Sequence, residues 1–360
     1  MSVRYRVPNT RAVVPAGSEL PQPESVHGRP VSTLRLRRVR PIVGQGNRAK
    51  IRVVVAVYMY EYDDVLIATD GSDVAADAAD AGITLARTLE ASVRALSVVE
   101  EGFRSGRRRD RREAAAEEVV TRAREAGRKA DATVRTGRPA DEIREYADSI
   151  DADLLVVGTH GRTGLRQALL GSVALEVIRD AERPVMTVGA ASRRSGGPDL
   201  ENASVDEGDA VEGVCLATDG SIGSAAATDR ALSLAEACDA RLHALYAVDA
   251  DDDTLGDERR SGPSKLRDAF EEHGKRTTAA VADRAGDRGL ETVEAIERGP
   301  PTEVILEYVD RTDVDLLVMG TESKSNVERL VVGSVSQRVV PNASVPVLTA
   351  RTLEDESDTS

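Results

Sequence analysis

One segment of this chain is written twice. Asp151-Ala-Asp-Leu-Leu-Val-Val-Gly158 returns 162 residues later as Asp313-Val-Asp-Leu-Leu-Val-Met-Gly320. Each copy is a short apolar run that stops at a glycine, the pattern of a strand buried on both faces. Other strings repeat around it. Ala68-Thr-Asp-Gly-Ser72 recurs at an offset of 149, and so does Ala95-Leu-Ser-Val-Val-Glu100 as Ala244-Leu-Tyr-Ala-Val-Asp249. Gly137-Arg-Pro139 matches Gly299-Pro-Pro301 at 162. The offset grows by 13 between the second and third strands, which places an insertion in the acidic stretch Asp249 to Ser261. Two copies of one module in 360 residues also fit the size of two ordinary cores.

Within each copy, apolar strand-like runs alternate with amphipathic helix-like segments. In the first copy the strands fall near 65–69, 93–99, 132–135, 154–157 and 184–188. Helices fall between them, with Ser72 or Asp73 as a cap and Pro139 in a first helical turn. This alternation predicts an α/β fold of two tandem, open, parallel-sheet domains, Rossmann-like, with helices on both faces. The expected organisation is a basic tail over 1–60, a domain over 61–190 and a linker over 191–212. A second domain over 213–350 and an acidic tail over 351–360 follow. In such sheets ligands bind beyond the carboxyl ends of the strands. Asp70, Val98 and Gly158 all fall at such ends.

Charge and composition remove several functions. The net charge is −14, yet residues 1–60 carry eleven Arg or Lys against two Glu, so the remainder carries −23. That excess of acid, with five Lys against 43 Arg, disfavours nucleic acid and resembles the acidic proteins of halophiles. There is no Trp and there are two Phe, so a base-stacking surface is not expected. Cys215 and Cys238 make no disulfide framework, which points to a reducing, cytoplasmic setting. Four scattered histidines make no zinc site. No apolar run is long enough to span a membrane, and no secretory signal is evident. Residues 1–60 are basic and proline-containing, the composition of a disordered tail; a true start near Met59, with mistaken translation upstream, is a second reading and a functional basic arm a third.

The densest chemical signal is Gly158-Thr-His-Gly161, then nine residues, then Gly171-Ser172. A strand delivers glycines to a helix start. Backbone N–H groups can then approach an anion closely, and the helix end adds unpaired donors and partial positive charge. Ser172 could give its hydroxyl to a phosphate or simply cap its helix. His160 reads first as a solvated loop residue, and Arg162 and Arg166 as either phosphate partners or surface charge. Asp70 could bind ribose hydroxyls or a phosphate-borne Mg²⁺, or could serve only as a turn residue. No Gly-Lys-Ser/Thr motif and no nucleophile paired with a histidine is present, so no catalytic residue is assigned.

On these residues the chain resembles the universal stress protein family, in a two-domain tandem, over about 65–190 and 213–350. The family's ATP-binding subset carries Gly-x-x-Gly-x9-Gly-[Ser/Thr], which Gly158, Gly161, Gly171 and Ser172 satisfy. The resemblance implies that Thr69 and Asp70 contact the nucleoside and that the backbone at Val98 meets adenine. It implies ATP with Mg²⁺ as cofactor, and strand order 3-2-1-4-5 with pairing through the fifth strands. Val185–Val188 and Val345–Leu348 would then meet as an internal pseudo-dimer, with homo-oligomers as a further possibility. The second copy departs from the motif: Ser323 replaces the middle glycine and Glu322 replaces His160, while Gly333 and Ser334 remain. A left-handed backbone at Ser323 would cost roughly 1–2 kcal/mol, and Glu322 would repel phosphate, so weak or absent binding is expected there. The expected function is an ATP-binding, nucleotide-responsive stress regulator, with slow hydrolysis not ruled in by any residue. The alternative is a dimerisation scaffold that binds no nucleotide. An adenylating enzyme would carry Ser-Gly-Gly-x-Asp-Ser after the first strand, and Thr69-Asp-Gly-Ser-Asp73 does not match.

Overall fold

The structure is a computed structural model that describes residues 12–14, 34–43, 52–60, 62–100, 106–160, 170–189, 191–192, 211–249, 263–321 and 332–351. Composition points to disorder for the basic segment, but its described residues form strands. β1 (Ala12–Val14) and β2 (Leu34–Val43) pair antiparallel on either side of β3 (Arg52–Tyr60). The reason lies in the residues. Arginine alternates with apolar residues in Leu34-Arg-Leu-Arg, the register shifts between Leu36 and Arg38, and the alternation resumes. That irregularity interrupts the two-residue period that marks a strand.

A second unit, Tyr62–Thr352, contains both repeats. The first repeat runs β4 (Asp64–Ala68), α1 (Asp73–Thr88), β5 (Ser92–Val99), α2 (Gly106–Glu125), β6 (Ala130–Thr136), α3 (Pro139–Ser149), β7 (Leu154–Gly158), α4 (Ser172–Asp180) and β8 (Val185–Val188). The second runs β9 (Gly213–Ala217), a 3-10 turn at Ile222–Ser224, α5 (Ala225–Cys238), β10 (Arg241–Val248), α6 (Pro263–Gly286) and β11 (Thr292–Arg298). It ends with α7 (Pro301–Arg311), β12 (Leu316–Gly320), α8 (Ser334–Val339) and β13 (Val347–Ala350). All ten strands lie in one open sheet of order β11-β10-β9-β12-β13-β8-β7-β4-β5-β6. Each half therefore has the order 3-2-1-4-5.

Every neighbouring pair in that sheet is parallel except β8 and β13, which run antiparallel with Val347 opposite Thr187 and Leu348 opposite Met186. The two fifth strands meet within one chain. Because they meet antiparallel, the carboxyl ends of the strands face opposite edges of the sheet in the two halves. The joint is buried: the Thr187 hydroxyl donates to Val347 O and the Thr349 hydroxyl to Val185 O, each at 3.1 Å. A single apolar cluster runs from Leu66, Leu96 and Leu155 through Val185 and Val347 to Leu317 and Leu245. Cys215 lies inside it, fully buried, and burial pushes its thiol far up.

The repeated Asp-x-Asp has a structural reason. Asp153 Oδ2 accepts the N–H groups of Asp63 (2.8 Å) and Asp64 (3.0 Å), tying the start of β4 to β7. Asp315 Oδ2 does the same for Glu212 (2.8 Å) and Gly213 (3.0 Å). A carboxylate here satisfies two strand-end donors that have no ladder partner.

Candidate functional site

Strand order reverses between β4 and β7, so the first half opens a crevice where their carboxyl ends diverge. Thr69 follows β4 and is held on three sides. Its N–H donates to Leu96 O (2.8 Å), its carbonyl accepts the Ser97 hydroxyl (2.7 Å), and its own hydroxyl accepts Gly71 N–H (3.2 Å). Asp70 Oδ1 accepts Ser72 N–H at 2.9 Å, an Asx turn. Ser72 then caps α1 by accepting Ala75 N–H at 3.3 Å. The second half repeats the turn with Thr218, Asp219, Gly220 and Ser221. The turn reading of Asp70 is thus realised in both halves.

Val98 is buried near the carboxyl end of β5, its backbone in register with Arg135 of β6. Gly158 closes β7 against the first turn of α1: a β-carbon there would lie 3.2 Å from the Val74 backbone. Gly171 N–H donates to Thr159 O at 2.7 Å, and a β-carbon on Gly171 would press to 2.9 Å of that same oxygen. The loop between β7 and α4 therefore closes at its base through two residues that leave no room for a side chain. Gly333 N–H and Thr321 O make the same closure at 2.8 Å in the second half. Gly161, Arg162 and Arg166 lie outside the described residues, as do Glu322, Ser323 and Lys324.

Two side chains sit differently from their sequence readings. Gly171, not Ser172, holds the cap position of α4 and has no side chain to offer it; Ser172 is the first residue of the helix and is exposed, so of its two readings only the helix cap is set aside. His160 is not a solvated loop residue. Its Nδ1 lies 2.9 Å from the Thr159 hydroxyl, while its Nε2 is buried with no hydrogen-bond partner. Sequence carries little sign of this, because Thr159 is fully buried only once the loop base has closed. The six described candidates, Thr69, Asp70, Val98, Gly158, Gly171 and Ser172, come to one edge of the sheet. Among the described residues no three His, Cys, Asp or Glu side chains gather as a metal cage. The described helices include none long and apolar enough to cross a membrane.

A duplicated 3-2-1-4-5 sheet has known counterparts. The profile of the Universal stress protein family matches residues 61–189 and 212–351. The chain belongs to the universal stress protein family. It is a tandem member, a stress-response protein with two of the family's domains in one chain. Universal stress protein MJ0531 of Methanocaldococcus jannaschii is 40% identical over 139 residues, covering 35% of this chain and 82% of the relative. Universal stress protein YxiE of Bacillus subtilis is 31% identical over 146 residues, covering 35% of this chain and 99% of the relative. A crystal structure of a universal stress protein from Archaeoglobus fulgidus superposes with a TM-score of 0.57 at 20% identity, over 81% of this chain and 99% of that one. That likeness concerns the fold, and it extends across both halves.

Proposed function

We propose that the first half of this tandem stress protein binds ATP, with Mg²⁺ carried on its phosphates, and acts as a nucleotide-responsive regulator rather than a fast enzyme. The observation that carries this reading is the uncommitted polar set beside the closed loop. Ser172 stands exposed at the first position of the nine-residue helix α4, where Gly171 takes the cap place, and His160 keeps a buried Nε2 without an acceptor or donor. A phosphate group would satisfy both, and the first N–H groups of α4 add donors and partial positive charge. Thr69 and Asp70 stand at the nucleoside side, at the end of β4. The Ser323 and Glu322 replacements, and an α8 of only six residues, argue for weak or no binding in the second half. A scaffold that dimerises through its fifth strands finds no free edge there, since β8 and β13 pair with each other.

Titration calorimetry of the full chain with Mg-ATP tests the reading, with one site per chain expected. Ser172→Ala removes one hydrogen bond to a charged group, so affinity should fall about tenfold, while the melting midpoint stays put because Ser172 caps nothing. Absence of any heat, or Ser172→Ala and Gly161→Val chains that bind as the parent does, would overturn it.

A further inference from the structure

The two halves serve as controls for each other once their helices are in register. Arg122 pairs with Asp80 as Arg284 pairs with Asp229. A β-carbon on Gly71 would lie 3.1 Å from Ala115 Cβ, and one on Gly220 would lie 2.7 Å from Thr277 Oγ1. On α2 and α6 the offset is therefore 162, which makes Arg108, Arg111 and Arg112 the counterparts of Phe270, His273 and Gly274.

Helix α2 buries Ala115, Ala116, Val119, Val120 and Ala123 against the sheet. Continued toward the amino end, the same stripe holds Arg112 and then Arg108 where apolar residues would be expected. Because Ala115 packs on Gly71, Arg112 stands one turn beyond, at the edge where the crevice opens. Arg112 is half-buried, and its Nη1 is buried with no hydrogen-bond partner. An unpaired buried guanidinium nitrogen is costly, and an anionic ligand would relieve that cost. Arg109 belongs elsewhere, paired with Glu113 at 2.8 Å on the exposed face.

The second half shows how far such side chains reach. His273 Nε2 comes to 3.4 Å from Asp219 O, the counterpart of Asp70, and its ring sits edge-on to Tyr246 at 5.7 Å. Gly274 leaves room for Tyr246, whose ring atom Cδ1 would lie 2.8 Å from a β-carbon there. Where the second half has a histidine and a tyrosine ring, the first has two guanidinium groups and the small Ser97.

We infer that Arg112, with Arg111, forms a second anion subsite at the nucleoside end of the first crevice. Its ligand is a nucleotide that carries a phosphate on the ribose 2′ or 3′ oxygen as well as on the 5′ side. This rests on the nucleotide reading above and names the ligand class of that site. The base of the glycine loop, at Gly158 and Gly171, belongs to the β7 side of the crevice and helix α2 follows β5 on the other side of β4, so the arginines are assigned a phosphate of their own. Asp70 is an opposing charge on this rim, and its Oδ1 already accepts Ser72 N–H. A bidentate guanidinium is well suited to a phosphate dianion there.

Calorimetry of the full chain with ATP, AMP, adenosine 2′,5′-bisphosphate and adenosine 3′,5′-bisphosphate tests the subsite, read as the ratio of bisphosphate to AMP affinity. One bisphosphate should bind about tenfold or more tightly than AMP. Arg112→Gln should bring that ratio close to one, Arg112→Lys should retain part of it, and melting curves should confirm that each variant is folded. If ATP binds but neither bisphosphate beats AMP, or the advantage survives Arg111→Gln/Arg112→Gln together, the subsite is wrong and the nucleotide reading stands. If no adenine nucleotide binds at all, both are wrong.

Discussion

Asp153 accepts two strand-end N–H groups from a position that is only 7% exposed. Burial raises its carboxyl to about 6, against the pull of those N–H groups and of Arg230. An unfolded chain returns it to near 3.9. The folded protein therefore holds the proton more tightly than the unfolded one between these values. The stability this contributes is full below about pH 4 and is lost as pH rises through about 6, at most about 3 kcal/mol. Asp153→Asn has no proton to lose, so the stability difference between parent and variant, measured by urea unfolding at pH 4.5 and 7.5, should move toward the variant at the higher pH. An unchanged difference would mean that the two N–H bonds outweigh burial. Gly171 poses a packing question instead. A β-carbon 2.9 Å from a backbone oxygen forces the loop base to shift, so Gly171→Ala should cost roughly 1–3 kcal/mol. At Gly286 a β-carbon would meet nothing within 4 Å, and Gly286→Ala should be neutral or slightly stabilising.

At the scale of elements the two halves reuse one turn and then diverge. Ser72 caps α1 directly, whereas after Ser221 a 3-10 turn intervenes, and α5 begins at Ala225 without a side-chain cap bond. Ser72→Ala should therefore cost about 1 kcal/mol, and Ser221→Ala much less, in matched denaturant melts. Equal losses would remove the distinction. This divergence is hidden in the sequence, because Ala-Thr-Asp-Gly-Ser is identical in both copies. What the sequence does reveal follows from periodicity. Strands buried on both faces stand out as apolar runs, and the start of α4 is legible in the pair Gly171-Ser172. At the amino end, β2 is masked by one extra arginine, Arg37, in its alternation. His160 and Arg112 escape a sequence reading for a common reason. Their meaning lies in an unpaired buried nitrogen, which depends on what folds around it.

The whole molecule is constrained by the β8–β13 joint. Ladder bonds between these strands, two buried threonine hydroxyls and an apolar cluster that crosses from Val185 to Val347 bind the halves into one sheet. The only antiparallel step in the ten-stranded sheet is also the step that turns the two crevices to opposite edges, so a ligand in one cannot bridge to the other. Among the described residues the halves are joined through the β8–β13 pairing and the shared core. If that core is continuous, the unit Tyr62–Thr352 should unfold in one calorimetric transition although only its first half retains the intact motif. Mg-ATP at about 100 times its dissociation constant adds about 2.7 kcal/mol to whatever unfolds with the site. The entire transition should then move upward. Thr187→Val with Thr349→Val deletes both hydroxyl bonds across the joint, at roughly 1 kcal/mol each. In that variant the ATP-shifted transition should broaden or split, with the second half melting at a midpoint that no longer follows the nucleotide. A wild-type chain in which ATP moves only part of the transition would show that the halves fold as neighbours rather than as one body.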